Sequence, residues 1–107
     1  MFARVSTYEL EEGRASEAAT AFEPAIEGIR HVDGFVDGMF LVERDGLHAV
    51  TITLWESFDA MERSRIATTR VRNEAAHEAG ATVTSSYEYE VGLHTGLPEH
   101  LQSASGA

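Results

Sequence analysis

The stretch Phe35–Trp55, FVDGMFLVERDGLHAVTITLW, decides the fold. Two runs rich in β-branched and aromatic residues flank Arg44-Asp45-Gly46, and an Asp-Gly pair between such runs is a strong local signal for a hairpin. The spacing predicts a strand from Phe35 to Glu43 and an antiparallel strand from Leu47 to Glu56. Neither alternates cleanly. On the later strand His48, Val50, Ile52 and Leu54 share one face, and Leu47, Ala49, Thr51, Thr53 and Trp55 the other. On the earlier strand Val36, Phe40 and Val42 oppose Phe35, Met39 and Leu41. A sheet with one wet face alternates apolar and polar residues, so both faces here need cover. Helices supply one cover. A second copy of the sheet is the simplest other, and a homodimer is expected.

Outward from the hairpin, residues 2–10 read as a strand, and Glu11-Glu12-Gly13 as a turn. From Arg14 to Arg30 the apolar positions Ala15, Ala18, Ala19, Phe22, Ala25, Ile26 and Ile29 recur at helical spacing. Pro24 predicts a kink near residues 20–24, because it removes a donor and crowds the preceding turn. Val32-Asp33-Gly34 ends that helix. Ser57 is an N-cap type, and the helical stretch after it reads as two pieces, 58–63 and 65–79, ending at Gly80. Ala81 to His94 reads as a long strand with Val83, Ser85, Tyr87, Tyr89 and Val91 on one face. The order is β-α-β-β-α-β, the ferredoxin-like α+β arrangement of a four-stranded antiparallel sheet with helices on one face. One domain is expected over residues 1–94, followed by a mobile Ser- and Gly-containing tail over 95–107.

Composition narrows the partners. The 107 residues carry 18 Asp plus Glu against 8 basic residues, a net charge of −10, and all the basic residues are Arg. Such a field disfavours nucleic acid and anionic membranes. The absence of cysteine rules out disulfides and thiolate chemistry. No run approaches the ~20 apolar residues of a membrane span, and the N-terminus lacks a signal-peptide pattern. A cytoplasmic protein is the expectation.

Asp33-Gly34-Phe35, the hairpin, and then Thr51-Ile52-Thr53-Leu54-Trp55-Glu56-Ser57 resemble the antibiotic biosynthesis monooxygenase family over roughly residues 2–92, with Pro24 fitting the pattern as well. The resemblance implies a dimeric α/β barrel, and an activity among cofactor-independent oxygenation of quinols and polyphenols, haem degradation, and unassigned roles. Haem degraders of the family combine an Asn on the first strand, a Trp ending the third, and a haem-ligating His on the next helix. Trp55 matches the second, Ser6 stands where the Asn would fall, and no His lies between His48 and His77. Haem degradation is therefore disfavoured. Ser64 and Thr69 occupy the region where many members carry His.

A cofactor-independent oxygenase needs an aromatic wall against its substrate and a polar group for the substrate anion. Trp55 and Ser6 are the candidate catalytic residues. Tyr8, Phe22, Ile26, Met39 and Thr53 are the candidate substrate-binding residues, for a small apolar or aromatic ligand with no cofactor and no metal. The alternative is a non-catalytic dimeric module that binds a small ligand or serves a stress-related role. The other polar residues have plainer readings. Ile66, Arg70, Asn73 and His77 form a solvent-facing stripe opposite Ala67, Thr68, Val71, Ala75 and Ala79, with Arg70 and Glu74 as a surface pair. His48 sits at the rim of a barrel, and His31 beside Asp33 is accounted for by a helix C-terminus. Tyr87 and Tyr89 read as interface or core aromatics. His94 and His100 sit in or beside the tail. No Ser-His-Asp set and no phosphate loop can be assembled.

Overall fold

A computed structural model describes residues 1–95. The remaining residues, His100 and nearly all of the expected tail among them, lie outside the described part. The elements are β1 (Phe2–Glu9), α1 (Ala15–Ile29), β2 (Phe35–Val42), β3 (His48–Trp55), α2 (Phe58–Ala79) and β4 (Thr82–Glu90). They form one antiparallel sheet in the order β2-β3-β1-β4, with both helices on one face, as the ferredoxin-like reading requires. No helix among the described residues is long and apolar enough to cross a membrane.

Local chemistry explains most boundaries. The Ser57 hydroxyl accepts the Ala60 N–H at 3.1 Å and starts α2, and Gly80, left-handed at φ 68°, stops it. Two expected interruptions do not occur. The helix α2 runs unbroken through residue 64, because the buried Ser64 hydroxyl donates to the Met61 carbonyl at 2.8 Å and so is satisfied within the helix. The helix α1 continues through Pro24, where both Pro24 and Thr20 are exposed, so the carbonyl deprived of a partner faces water. The last strand ends at Glu90 rather than His94.

Two register shifts correct the expected faces. Between Phe35 and Asp37 the β2–β3 ladder slips, which turns Phe35 toward Trp55 and away from Met39 and Leu41. The rings of Phe35 and Trp55 meet edge to face at 5.5 Å. Between Thr7 and Tyr8 the β1–β4 ladder slips as well, so Val83 packs into the core and does not share a face with Tyr87 and Tyr89. The expected Arg70–Glu74 pair is absent from the ion pairs among the described residues, and Ala67 is exposed rather than buried. Ile66, Arg70, Asn73 and His77 do face solvent.

The helix-facing side of the sheet holds two apolar clusters. Tyr8, Leu10, Phe22, Ala49 and alanines of both helices form one, and Ile29, Trp55, Ala60 and Met61 the other. Between them the ladder pairs Arg4 with Thr53 and Ser6 with Thr51, all four buried, and Ser64 and Thr68 of α2 are buried with them. A polar belt thus crosses the middle of the core. The opposite face of the sheet is uncovered, and there Met39, Leu41, Tyr87 and Tyr89 are exposed beside half-buried Val5, Val50, Ile52 and Leu54.

The turn before β2 depends on Gly34, at φ 85°, whose carbonyl accepts the Glu56 N–H at 2.8 Å. A β-carbon there would collide with the β-carbon of Ala60. Gly34→Ala is therefore expected to cost about 2 kcal/mol or more, seen as a lower urea midpoint. Gly13→Ala, at φ 78° but with open space around it, is expected to cost about 1 kcal/mol. Equal costs would show that the close approach to Ala60 is unimportant.

Candidate functional site

Strands that point every second residue at the helices place Arg4, Ser6 and Tyr8 of β1 on one line, and Thr51, Thr53 and Trp55 of β3 on the next. The helices α1 and α2 close over them. A cavity of about 30 Å³ remains, lined by the polar belt except Ser64, by Thr69 and Arg72 of α2, and by Phe22, Ala25, Ile26 and Ile29 of α1.

Every buried side-chain nitrogen and oxygen among the described residues has a partner. Arg4 donates to Thr68 Oγ1 at 2.7 Å, to the Met61 carbonyl at 3.0 Å, and to Glu88 Oε2 at 3.0 and 3.3 Å. Glu88 in turn accepts from Arg65 at 3.0 Å. The charge of Arg4 is thus matched inside the protein. Arg72 differs. Its guanidinium donates to Ser6 Oγ at 3.2 Å and to Asn73 Oδ1 at 2.9 and 3.2 Å, and it has no carboxylate partner among the described residues. Ser6 also shares a hydrogen bond with Ser86 at 3.0 Å. The half-buried Arg72 guanidinium therefore brings to the edge of the cavity a positive charge without a carboxylate partner among the described residues.

The Tyr8 hydroxyl bonds Thr51 Oγ1 at 2.8 Å. Burial pushes its pKa above the ordinary 10.0, with Thr51, the charge of Arg72 and Ser6 pulling the other way. Tyr8 is a neutral phenol at physiological pH. Its ring sits edge to face on Phe22 at 5.1 Å, and Phe22 stacks on Phe40 at 4.6 Å.

The expected site residues separate on this map. Ser6, Thr53, Phe22 and Ile26 line the cavity, and Tyr8 borders it through Thr51. Trp55 is 0% exposed and does not line it; its Nε1–H donates to Thr53 Oγ1 at 3.0 Å, one residue back from the cavity wall. Met39 points to the uncovered face of the sheet and borders a groove at the β2 edge instead. Arg4 and Arg72 escaped the sequence reading, and Thr51, Thr68 and Thr69 were named in it without being counted among the site residues. Two signals pointed to the arginines: Arg4 lies in phase with Phe2, Ser6 and Tyr8, and Arg72 is four residues from Thr68 on the buried flank of α2.

One further cluster lies far from the cavity. At the hairpin, His48 Nδ1 is 3.0 Å from Asp45 Oδ2 and 3.6 Å from Glu43 Oε2, all exposed. His31 and Asp33 are exposed and make no comparable group.

No protein-family model matches the chain. Over 77 residues it is 38% identical to an uncharacterized protein of Mycobacterium tuberculosis, a match covering 71% of this chain and 33% of the other, so the chain spans about a third of the length of the curated relatives it matches. Among solved structures, one named as an antibiotic biosynthesis monooxygenase from Deinococcus radiodurans superposes with a TM-score of 0.71 at 16% identity, over 92% of this chain and 99% of that one. SnoaB, a cofactor-independent oxygenase from Streptomyces nogalater, gives 0.69 at 21% identity, over 88% and 95% of the two chains. A variant of MhuD with two manganese protoporphyrins bound per active site gives 0.68 at 22% identity, over 90% and 99%. The chain has the fold of the antibiotic biosynthesis monooxygenases. Identities this low speak for the fold alone, and activity must be argued from the site.

Two predictions follow from the charges. Glu88→Gln leaves the buried Arg4 without a counter-charge; since Glu88 is about a quarter exposed, the expected loss is about 2 kcal/mol, below the usual 3–5 for a fully buried pair, read from the urea midpoint. The hydrogen bond with Asp45, and then the Asp45 and Glu43 charges, hold the His48 imidazole above its ordinary 6.5 despite some desolvation. Stability from that pair is fully present below the unfolded pKa and is lost as pH rises through the folded one. An NMR titration is expected to place the His48 midpoint above 6.5, and Asp45→Asn to lower it.

Proposed function

We propose that this chain is a cofactor-independent monooxygenase that acts as a homodimer on a hydroxylated aromatic or quinol-type molecule. The carrying observation is the Arg72 guanidinium, unmatched by a carboxylate and bonded to buried Ser6 within the cavity. A guanidinium lowers the pKa of a hydroxyl bound beside it, so a phenol or enol ionises there at a lower pH than it does in water. The resulting anion, delocalised onto carbon, passes an electron to O2. Oxygen then bonds to that carbon. The peroxide so formed loses water, so that a CH2 group and O2 become a carbonyl group and H2O, and the substrate itself supplies all four electrons that reduce O2. Ser6 and Thr53 orient the oxyanion, Phe22 supplies an aromatic wall, and Trp55 acts through Thr53 as a positioning residue.

The dimer rests on the uncovered sheet face, where Met39, Leu41, Val50, Ile52 and Tyr87 are too apolar to face water in such a contiguous array. Residues 1–94 are the unit that would pair. Sedimentation at micromolar concentration is expected to give a dimer, and Ile52→Glu a monomer.

The cavity lining offers a porphyrin no imidazole or carboxylate to ligate its iron. The same lack of a carboxylate or imidazole base favours a second reading, a binding module without turnover. Oxygen uptake with 1,8-dihydroxyanthracen-9-one separates the two. Turnover is expected, with Arg72→Gln and Ser6→Ala each slowing it about 10²-fold. Tight binding without oxygen uptake supports the module.

A further inference from the structure

The β2–β3 hairpin carries a separate constellation with its own chemistry. Its backbone is fixed on both sides of the turn: the Glu43 N–H donates to the His48 carbonyl at 2.8 Å, and the Gly46 N–H donates to the Glu43 carbonyl at 2.9 Å. Asp45 sits between them. Its Oδ1 accepts the Leu47 N–H at 2.7 Å, which holds the carboxylate and leaves Oδ2 turned to His48. Asp45 Oδ2 at 3.0 Å and Glu43 Oε2 at 3.6 Å thus converge on one atom, His48 Nδ1, and the three ligand atoms lie within 4.8 Å of one another. A single proton on Nδ1 cannot serve both oxygens well. Arg44, next in the chain to both carboxylates, forms no ion pair among the described residues. On the neighbouring strand Glu9 stands directly across the ladder from His48. Three carboxylates are gathered about one imidazole.

We propose that Glu43, Asp45 and His48 bind a divalent transition-metal ion of the zinc class, with Glu9 as a fourth ligand within the same rim. Ligand atoms about 2 Å from one ion stand roughly 3 to 4 Å from each other, and the separations of 3.0 and 3.6 Å are already of that size. An imidazole nitrogen beside carboxylates suits zinc or nickel, whereas magnesium and calcium take oxygen ligands. The ion replaces the proton on Nδ1. The Leu47 N–H orients Asp45 as an outer partner orients a metal-binding carboxylate. All three residues are exposed, so water fills the remaining positions and the affinity is micromolar rather than that of a closed structural site. The ligands span the end of β2, the turn and the start of β3, and the ion ties the hairpin across its turn. His48 is in phase with Val50 and Ile52, which puts the ion at the rim of the apolar sheet face. It takes no part in the chemistry proposed for the cavity.

Equilibrium dialysis of the full chain against zinc chloride, with NMR of the hairpin amides, tests this. One ion per chain is expected, with the largest shift changes at Leu47 and His48. His48→Ala and Asp45→Asn are each expected to weaken binding about tenfold or more. The urea midpoint of His48→Ala should stay close to that of the unaltered protein, because an exposed pair contributes little to stability. His31→Ala and His77→Ala should bind as the unaltered protein does, and an equal concentration of magnesium chloride should leave zinc in place. Zinc held undiminished by His48→Ala, displaced by magnesium, or bound without a shift at the hairpin would overturn the site. So would the absence of binding at millimolar zinc.

Discussion

The guanidinium of Arg4 ties together three elements that the chain brings in at different times. It joins β1 to α2 through Thr68 and the Met61 carbonyl, and to the edge strand β4 through Glu88. A buried cation is tolerable only where charge and hydrogen bonds meet it from several sides, so its neighbours cannot be apolar. That condition accounts for the run of Ser and Thr across a core that would otherwise be continuous from Leu10 to Met61. The polar belt is a structural necessity first. Its side chains also line the cavity between the helices and the sheet.

Once Arg4 is satisfied by Glu88, Arg72 brings the excess charge. The exterior is strongly acidic, and such a field repels anions in solution. A ligand that is neutral outside and ionised inside escapes that repulsion and still gains the attraction of the guanidinium. On the proposed reading, the acidic surface and the Arg72 charge together favour weak acids such as phenols and enols.

Much of the fold was legible in the chain. The Asp-Gly turn, the Ser57 cap, the Gly80 stop and the two-faced strands lead to β-α-β-β-α-β without further help. The misreadings have local causes. Pro24 and Ser64 look like helix breakers, but one leaves its unpaired carbonyl in water and the other satisfies its hydroxyl within the helix. Phe35 and Val83 changed faces because ladder slips add a residue, and alternation alone carries no sign of a slip. For the site, Ser6, Thr53, Phe22 and Ile26 were placed by periodicity and resemblance, and they do meet at the cavity. Arg4 and Arg72 were passed over because arginine in an amphipathic pattern ordinarily marks solvent.

By itself the sequence determined the order of elements, the hairpin, the apolar character of both sheet faces and the acidic balance, since each depends on neighbours within a few residues or on composition. The tertiary structure alone decided which arginine is neutralised and which is not. Glu88 lies 84 residues from Arg4, and Ser6 lies 66 residues from Arg72. Charge balance at a site is a property of distances through space, and the partner of a buried cation is chosen by strand register and helix phase rather than by chain order.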